Sequence, residues 1–223
     1  MVVRPGTKKK KTLTQTQMDA MYRLMEQHLD AETGKGNSSM FNGRRNALLP
    51  AWFWLTEMNV FRYTAIRQSQ LLHIRLGGIN LEERWIDLNI EGAKNHREHR
   101  VLIVSSWYPS LEELMRKAGE AGMELSDQVF SVGWFVLVRK SKYPDVMNEF
   151  PLRAFFKRLS RECKFTISPH RFRHTVATHM MKSPERNLYV VKKLLGHVSI
   201  TSTLEYIDEN VDSLRNILEK ELM

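Results

Sequence analysis

Only one cysteine, Cys163, occurs in the sequence, so no disulfide bond can form within the chain. A lone thiol is typical of proteins from a reducing compartment, and we expect a cytoplasmic protein. Long apolar runs are missing too, because no stretch approaches the roughly 18 consecutive apolar residues of a membrane-spanning helix. The N-terminal sequence MVVRPGTKKKK has no apolar stretch behind its basic residues, so we expect neither a secretory signal nor a membrane partner.

Acidic residues are also fewer than basic residues. The chain has 25 Asp and Glu against 34 Lys and Arg, which gives a net charge of +9 and a pI near 9.7. Lysines and arginines that neutralise phosphates release condensed counterions, so this balance favours a polyanionic partner such as nucleic acid. Charge alone leaves open the alternative of a solvated basic surface with no special partner.

The first twelve residues are predicted to be a flexible basic arm or linker, because Pro5 and Gly6 precede a run of lysines. This segment is either a solvated tail, the stub of a linker from an upstream domain, or a contact with DNA phosphates through Lys8, Lys9, Lys10 and Lys11. The 223 residues of the chain, 42% of them apolar, suffice for one good-sized core, or for one core plus a small appendage.

Apolar residues recur at helical spacing over most of the chain. Thr14 is the predicted N-cap of a first helix, whose apolar stripe consists of Met18, Met21, Leu24, Met25 and Leu29. A loop is predicted at 33–39, and further helices at 46–58, 65–74, 111–121, 149–162, 169–182, 185–195, 200–208 and 211–222.

The period changes to two over Trp85–Ile90, as in a half-buried strand. The polar stretch Glu91–His99 separates it from the apolar run Val101–Val104, so a β-hairpin is predicted. Further along, Phe130–Val132 fits a short strand, and Trp134–Val138 fits either a strand or a helix. The sequence therefore predicts a mostly α domain with a small antiparallel β-sheet, an α+β fold.

The segment SPHRFRHT begins with Ser168 and predicts a helix whose first turn contains Pro169. His170 and Arg173 stand three residues apart and so share one helix face. An arginine supplies a planar fork of donors and a histidine moves a proton near neutral pH, which suits a phosphate. A basic surface helix is the alternative.

His170 and His174 also have the spacing of two zinc ligands on a helix. Arg171 occupies the position where a zinc protease has its glutamate base, and both Arg171 and Arg173 would repel a dication. We therefore expect no metal ion.

Downstream, the segment LLGHVSITSTLEY has a predicted helix stop at Gly196, directly before His197. Tyr206 follows on a short helix that Thr201 or Ser202 opens. Taken alone, Tyr206 would be an ordinary half-buried core residue.

Upstream, the segment TAIRQSQLL places Arg67 in the predicted helix 65–74, between Ile66 and Leu71. An arginine on the buried side of a helix needs an anion, either a structural carboxylate or a ligand.

Four motifs thus occur in a fixed order: an arginine in T-x-x-R, a lysine in a predicted hairpin, H-x-x-R-H-T, and L-G-H followed by a tyrosine. In this order they resemble the catalytic domain of the tyrosine recombinases, the family of phage integrases and bacterial chromosome-dimer resolvases. The resemblance covers about residues 12–210. It implies that family's catalytic-domain fold for residues 13–210.

The resemblance also implies a role for each matching residue. Arg67 resembles the first catalytic arginine, and Lys94, in EGAKNHREHR, resembles the mobile lysine. The remaining matches are His170 and Arg173 for the family's histidine and second arginine, His197 for the last phosphate ligand, and Tyr206 for the nucleophile. Arg171 and His174 stand among these residues and are expected to contact DNA.

In this chemistry the Tyr206 oxygen attacks phosphorus and forms a 3′-phosphotyrosine link. His170 is the expected base for the tyrosine proton, and Lys94 is the expected acid for the leaving 5′ oxygen. Arginines and histidines stabilise the charge on the phosphate oxygens, so neither a metal, a cofactor nor ATP is implied.

The sequence departs from the family pattern at three places. Ala65 stands where the family usually has glycine, and Gln70 stands where it usually has an acidic residue. The hairpin lacks the common Lys-Thr-Gly run. Lys94 is nevertheless the only lysine between Arg67 and Lys117, and an arginine there would be a poor acid because guanidinium hardly deprotonates.

The sequence therefore predicts a site-specific recombinase or integrase of bacterial or phage origin. Its expected partner is double-stranded DNA with a specific recombination site, on which it forms a tetramer; free in the cytoplasm we expect a monomer. A last helix within residues 211–223 either packs on its own core or docks on a neighbouring protomer.

Alternatives remain at this point. The family's N-terminal DNA-clamping domain has no room in this sequence, so the chain is expected to be either a fragment or a minimal enzyme. Together with Ala65 and Gln70, this motivates a second hypothesis, a DNA-binding accessory protein on the same fold that does not cleave. An activity that relaxes DNA with the same residues is a third.

Overall fold

The structure is a computed structural model that describes residues 12–34, 49–88, 99–136, 146–182 and 188–196, together with Thr203. Several predicted features lie outside these residues, namely Lys8–Lys11, Lys94, His197, Tyr206, the helix at 211–222 and, apart from the helical Thr203, the helix at 200–208.

The described helices are α1 (Gln15–Glu32), α2 (Ala51–Thr64), α3 (Gln68–Leu71), α4 (Tyr108–Glu120), α5 (Glu149–Cys163), α6 (Pro169–Lys182) and α7 (Leu188–Leu195). The strands are β1 (Ile79–Asn80), β2 (Trp85–Leu88) and β3 (His99–Leu102), with 3₁₀ turns at Leu76–Gly78 and Val132–Phe135. The predicted α+β fold, mostly helical with a small antiparallel sheet, is confirmed. No helix in the described part of the chain is long and apolar enough to cross a membrane.

The start of α1 is as predicted. The Thr14 hydroxyl accepts a hydrogen bond from the Gln17 amide, and the Gln17 side chain accepts one from the Thr14 amide, which closes a capping box. Met18, Met21 and Met25 are buried, and this apolar stripe packs α1 against α2.

Helix α2 begins later than predicted, at Ala51, because Pro50 has extended backbone and acts as the N-cap. It is rich in buried aromatic residues; the Trp54 ring stacks on that of Phe155 from α5, with centroids 4.5 Å apart. The core therefore lies between α2 and the helices around it.

The helix predicted at 65–74 is mostly wrong. Ala65 has left-handed backbone (φ 53°), which ends α2, and Arg67 has extended backbone as the N-cap of α3. Only the four residues of α3 are helical. Arg67 therefore lies in a turn between two helices rather than inside one.

The predicted hairpin strands pair as antiparallel neighbours, with Ile86 opposite Val101 and Leu88 opposite His99. Ile86 and Val101 are buried, so this face of the sheet covers the core. Strand β1 completes the order β1-β2-β3. It was missed because two residues are too few to produce an alternating pattern.

The segment around Phe130 does not form the suggested strand. Val132–Phe135 is a 3₁₀ turn, and the neighbouring strand-like pairing is a single bridge between Arg75 and Gln128. Phe130 is fully buried, so the apolar residue at this position reflects packing in the core and not a strand.

Candidate catalytic site

A left-handed turn between α2 and α3 positions Arg67. The Ala65 amide donates to the Phe61 carbonyl over 3.1 Å, and beyond it Ile66 is buried. Positive φ at a residue with a Cβ costs about 1 kcal/mol or more. The glycine usual in the family would take this conformation freely, so the departure at Ala65 falls where glycine is favoured.

The second departure, Gln70, also has a clear place in this turn. Its side-chain oxygen accepts a hydrogen bond of 2.8 Å from the Arg67 amide, and Gln70 is only 3% exposed. A carboxylate would make the same contact, so glutamine preserves the turn and removes only the charge. The Arg67 side chain is half-buried.

Arg173, on α6, is buried, with 4% of its surface exposed. Its Nη1 donates to the Ala65 carbonyl over 2.6 Å, and its Nη2 donates to the Leu195 carbonyl over 2.7 Å. Both acceptors stand at the C-terminal end of a helix, Ala65 as the C-cap of α2 and Leu195 as the last residue of α7. These ends carry partial negative charge, which stabilises the buried guanidinium.

Arg173 therefore joins three of the sequence motifs. Its own helix carries H-x-x-R-H-T, Ala65 lies two residues before Arg67, and Leu195 begins L-G-H. Gly196 has φ 58°, as predicted for a helix stop, and directly precedes His197. A small apolar cluster of Ala65, Ala177, Met181, Val191 and Leu195 packs beneath this junction.

His170 lies in the first turn of α6, which begins at Pro169 as predicted, and its side chain is exposed. The rings of His170 and His174 face each other at an interplanar angle of 26°, with centroids 6.3 Å apart. Within the ranges that the structure describes, no group of three or more His, Cys, Asp or Glu side chains is arranged to hold a metal ion.

Thr175, the threonine that ends the H-x-x-R-H-T motif, anchors α6. Its hydroxyl donates to the Arg171 carbonyl over 2.7 Å and accepts from the Leu13 amide over 2.8 Å. The half-buried Arg171 also donates its amide to the Ser168 hydroxyl over 3.3 Å. These contacts hold the helix that carries His170 and Arg173 against the start of α1.

A cleft of about 680 Å³ opens beside His170, and Gln68, the neighbour of Arg67, lies on its wall. The turn of Arg67 and the first turn of α6 therefore border the same opening. The other wall is the exposed, basic face of α5 with its C-cap, formed by Arg153, Lys157 and Arg161 on the helix and by Lys164 directly after it.

This basic face was missed in the sequence, although Arg153, Lys157 and Arg161 recur every four residues in the helix predicted at 149–162. Spacing alone does not say which face of a helix meets the core. In the structure Leu152, Phe155, Phe156 and Leu159 point inward. Arg153 pairs with Glu149 at 3.0 Å, so part of its charge is balanced within the helix.

The chain belongs to the phage integrase family, whose model matches residues 11–212. A protein of Pseudomonas aeruginosa named as a tyrosine recombinase XerC is 40% identical over 176 residues, which cover 79% of this chain and 40% of that protein. A XerC of Pseudomonas syringae is 37% identical over 178 residues, covering 80% of this chain and 37% of the relative. The chain thus spans well under half of each relative.

Solved structures show the same fold. The Tn1549 transposon integrase, in complex with transposon right end DNA, superimposes with a TM-score of 0.70 at 17% identity, over 100% of this chain and 69% of that one. The XerA recombinase gives a TM-score of 0.63 at 16% identity, over 99% of this chain and 66% of the other. The fold is that of tyrosine-recombinase catalytic domains.

Proposed function

We propose that this chain is the catalytic part of a site-specific DNA recombinase that cuts and rejoins strands through a 3′-phosphotyrosine link. The observation that carries the proposal is the buried Arg173, whose hydrogen bonds to Ala65 and Leu195 bring three family motifs together. Family membership and the DNA-bound neighbours support the same activity.

The proposed reaction starts at the phosphate beside His170. The Tyr206 oxygen attacks phosphorus while its proton passes to His170, and the bond to the 5′ oxygen breaks as Lys94 gives that oxygen a proton. The products are a 3′-phosphotyrosine and a free 5′-hydroxyl. Attack by a 5′-hydroxyl from another strand reverses the path, so the energy of the bond is conserved.

Arg67, Arg173 and His197 are the proposed stabilisers of the charge on the non-bridging oxygens. Fixed donors in a water-poor site are the strongest means of stabilising such a transition state. In the structure two Arg173 nitrogens already donate to carbonyls, so its orientation is set before DNA arrives.

Double-stranded DNA is the proposed partner, and the cleft beside α5 is its proposed binding site. Lys157, Arg161 and Lys164 are exposed along one wall, and His170 lies at the same opening. A basic helix face of this kind neutralises backbone phosphates and makes binding depend on salt. Arg171, His174 and the lysines Lys8–Lys11 are further proposed contacts.

The larger assembly follows from the family resemblance. We propose a tetramer on a specific recombination site, a monomer when free, and action at the nucleoid of a bacterial cell.

The non-cleaving alternative was motivated by Ala65 and Gln70, and the structure accommodates both: Ala65 supplies a carbonyl to Arg173, and Gln70 accepts from the Arg67 amide.

The test is a covalent selection. The chain is incubated with a pool of nicked duplexes of randomised sequence, and protein-linked DNA is recovered under denaturing conditions and sequenced. Enrichment of one site by the wild-type chain, lost in Tyr206→Phe, supports the proposal. Recovery of no linked DNA by either protein contradicts it.

A further inference from the structure

The threonine of the T-x-x-R motif, Thr64, makes contacts on both sides of the left-handed turn. It is the last residue of α2 and is fully buried. Its hydroxyl donates to the Val60 carbonyl over 2.5 Å and accepts from the Ile66 amide over 3.4 Å. One oxygen thus links the end of the helix to the chain beyond Ala65.

We propose that Thr64 is a positioning residue for both Arg67 and Arg173, acting through the backbone of Ala65 and Ile66. This role rests on the proposed function, since it concerns the geometry of the same site. Thr64 does not line the cleft beside His170. Its effect is therefore on where the two arginines stand and not on contact with DNA.

The need for such support comes from Ala65. Left-handed backbone is unfavourable for alanine, so the turn between α2 and α3 requires contacts that hold it. The Thr64 hydroxyl supplies one, because it accepts from the first amide after the turn, that of Ile66. Without it, the left-handed backbone of Ala65 has one contact fewer to offset its cost, and relaxation toward ordinary backbone angles becomes more favourable.

A change in the backbone angles of Ala65 would affect Arg173 directly. The Ala65 carbonyl accepts from Arg173 Nη1 at 2.6 Å, and a change in the backbone angles turns this carbonyl away. Arg173 would then lose its hydrogen bond to the end of α2, which is one of the two bonds that fix its guanidinium.

A change in the backbone angles of Ala65 would also move Arg67, because the backbone continues through Ile66 to Arg67. The Arg67 amide donates to the Gln70 side chain at 2.8 Å, which requires the extended backbone that Arg67 has after the turn. Both arginines therefore depend on the same few peptide groups, and Thr64 fixes these from the buried side.

Helix α2 offers a matched control. Thr56 is also buried, at 2% exposure, and its hydroxyl donates to the Trp52 carbonyl over 2.9 Å, the same bond to the fourth preceding residue. Thr56 lies two turns before Thr64 in the same helix. Thr56→Val therefore removes the same kind of bond from the same helix and leaves the turn at Ala65 unchanged.

The experiment compares Thr64→Val, Thr64→Ser and Thr56→Val with the wild-type chain. The DNA is the nicked duplex enriched by the wild type in the covalent selection. Three quantities are measured: the rate constant of adduct formation at saturating duplex, the dissociation constant for the intact duplex, and the urea midpoint of unfolding.

We expect Thr64→Val to form the adduct about tenfold to hundredfold more slowly, the scale of a misplacement of about 1 Å in a catalytic group. Its dissociation constant should stay within about twofold of the wild type, Thr64→Ser should recover the rate, and Thr56→Val should lower only the urea midpoint. Equal rates for Thr64→Val and Thr56→Val would overturn the proposal, and so would a slow Thr64→Ser.

Hydrogen exchange at the Ile66 amide in the wild-type chain tests the link without any variant. Slow exchange is expected from its bond to Thr64. Exchange at the rate of a free amide would overturn the proposal even if Thr64→Val fails to fold. If the wild type forms no adduct, the proposed function fails, while this measurement still tests the link at Thr64.

Discussion

The guanidinium group of Arg173 donates a hydrogen bond of 2.6 Å to the carbonyl of Ala65, the residue that ends α2 in left-handed backbone. A second bond, to Leu195 at the end of α7, places the same cation against another helix terminus. The helix that carries His170 is thereby fixed to the turn that carries Arg67. Arg173 therefore has a structural role that is separate from any contact with phosphate.

Replacing Arg173 with lysine should destabilise the chain. Lysine presents one nitrogen in place of the two guanidinium nitrogens that reach the two carbonyls, so we expect at least one buried acceptor to lose its partner, at a cost of about 1–3 kcal/mol. Urea unfolding measures the difference. The control is Arg171→Lys, at a half-buried arginine on the same helix, which should cost less. An Arg173→Lys chain as stable as the wild type would show that the two bonds contribute little.

Gln70 is expected to act only through its side-chain oxygen, which accepts from the Arg67 amide. Gln70→Glu keeps that acceptor and should cleave the selected duplex about as fast as the wild type. Gln70→Leu removes it and should cleave about fivefold to tenfold more slowly, the equivalent of one lost hydrogen bond. Equal rates for the two variants would mean that this bond does not set the position of Arg67.

The basic face of α5 should bind DNA through phosphates. Lys157→Ala and Arg161→Ala should each weaken binding to a duplex of random sequence, and each lost phosphate contact should make the log–log salt dependence shallower by about 0.9. Fluorescence anisotropy across a salt series gives both quantities. Arg116→Ala removes the same charge from α4, which does not line the cleft, and serves as the control. A salt dependence unchanged in both α5 variants would exclude this face from the interface.

Glu57 is a buried carboxyl in the core, and neither of its oxygens has a hydrogen-bond partner among the residues that the structure describes. Burial raises the pKa of this group well above its ordinary value of 4.5. Between 4.5 and the raised pKa, the unfolded chain releases a proton that the folded chain keeps. The free energy of unfolding should therefore fall as pH rises, by about 1.4 kcal/mol per pH unit, and level off above the raised pKa.

Glu57→Gln should remove this slope, which urea unfolding at a series of pH values detects. The control is Glu113→Gln, at an exposed carboxyl whose pKa the hydrogen bond from Arg116 lowers to about 2. That group is charged in both states over the same pH window, so the slope should persist in the control. A slope that survives Glu57→Gln would assign it to another group.

Much of the fold was predictable because local signals and packing agree. Thr14 caps α1, Pro169 opens α6, and Gly196 follows α7 in left-handed backbone, each as its residue type suggests. Helices α5 and α6 match their predicted ranges to within a residue, since their apolar stripes are long enough to be periodic.

The turn at Ala65 was not predictable in the same way. The sequence predicts a helix that begins at Ala65, whereas the structure has a left-handed turn there, with contacts from the buried hydroxyl of Thr64 and from the distant Arg173. For the site, the order of the motifs indicated which residues belong together. The joint role of Ala65 and Leu195 as acceptors for one arginine depends on contacts between residues far apart in the chain.

Mass spectrometry of the trapped complex detects the proposed bond between Tyr206 and DNA. After digestion with trypsin and nuclease, the peptide of residues 194–215, in which Tyr206 is the only tyrosine, should carry the mass of a 3′-phosphonucleotide. The modified peptide should be absent from Tyr206→Phe. Linked DNA on any other peptide, or an adduct that persists in Tyr206→Phe, would show that Tyr206 is not the nucleophile.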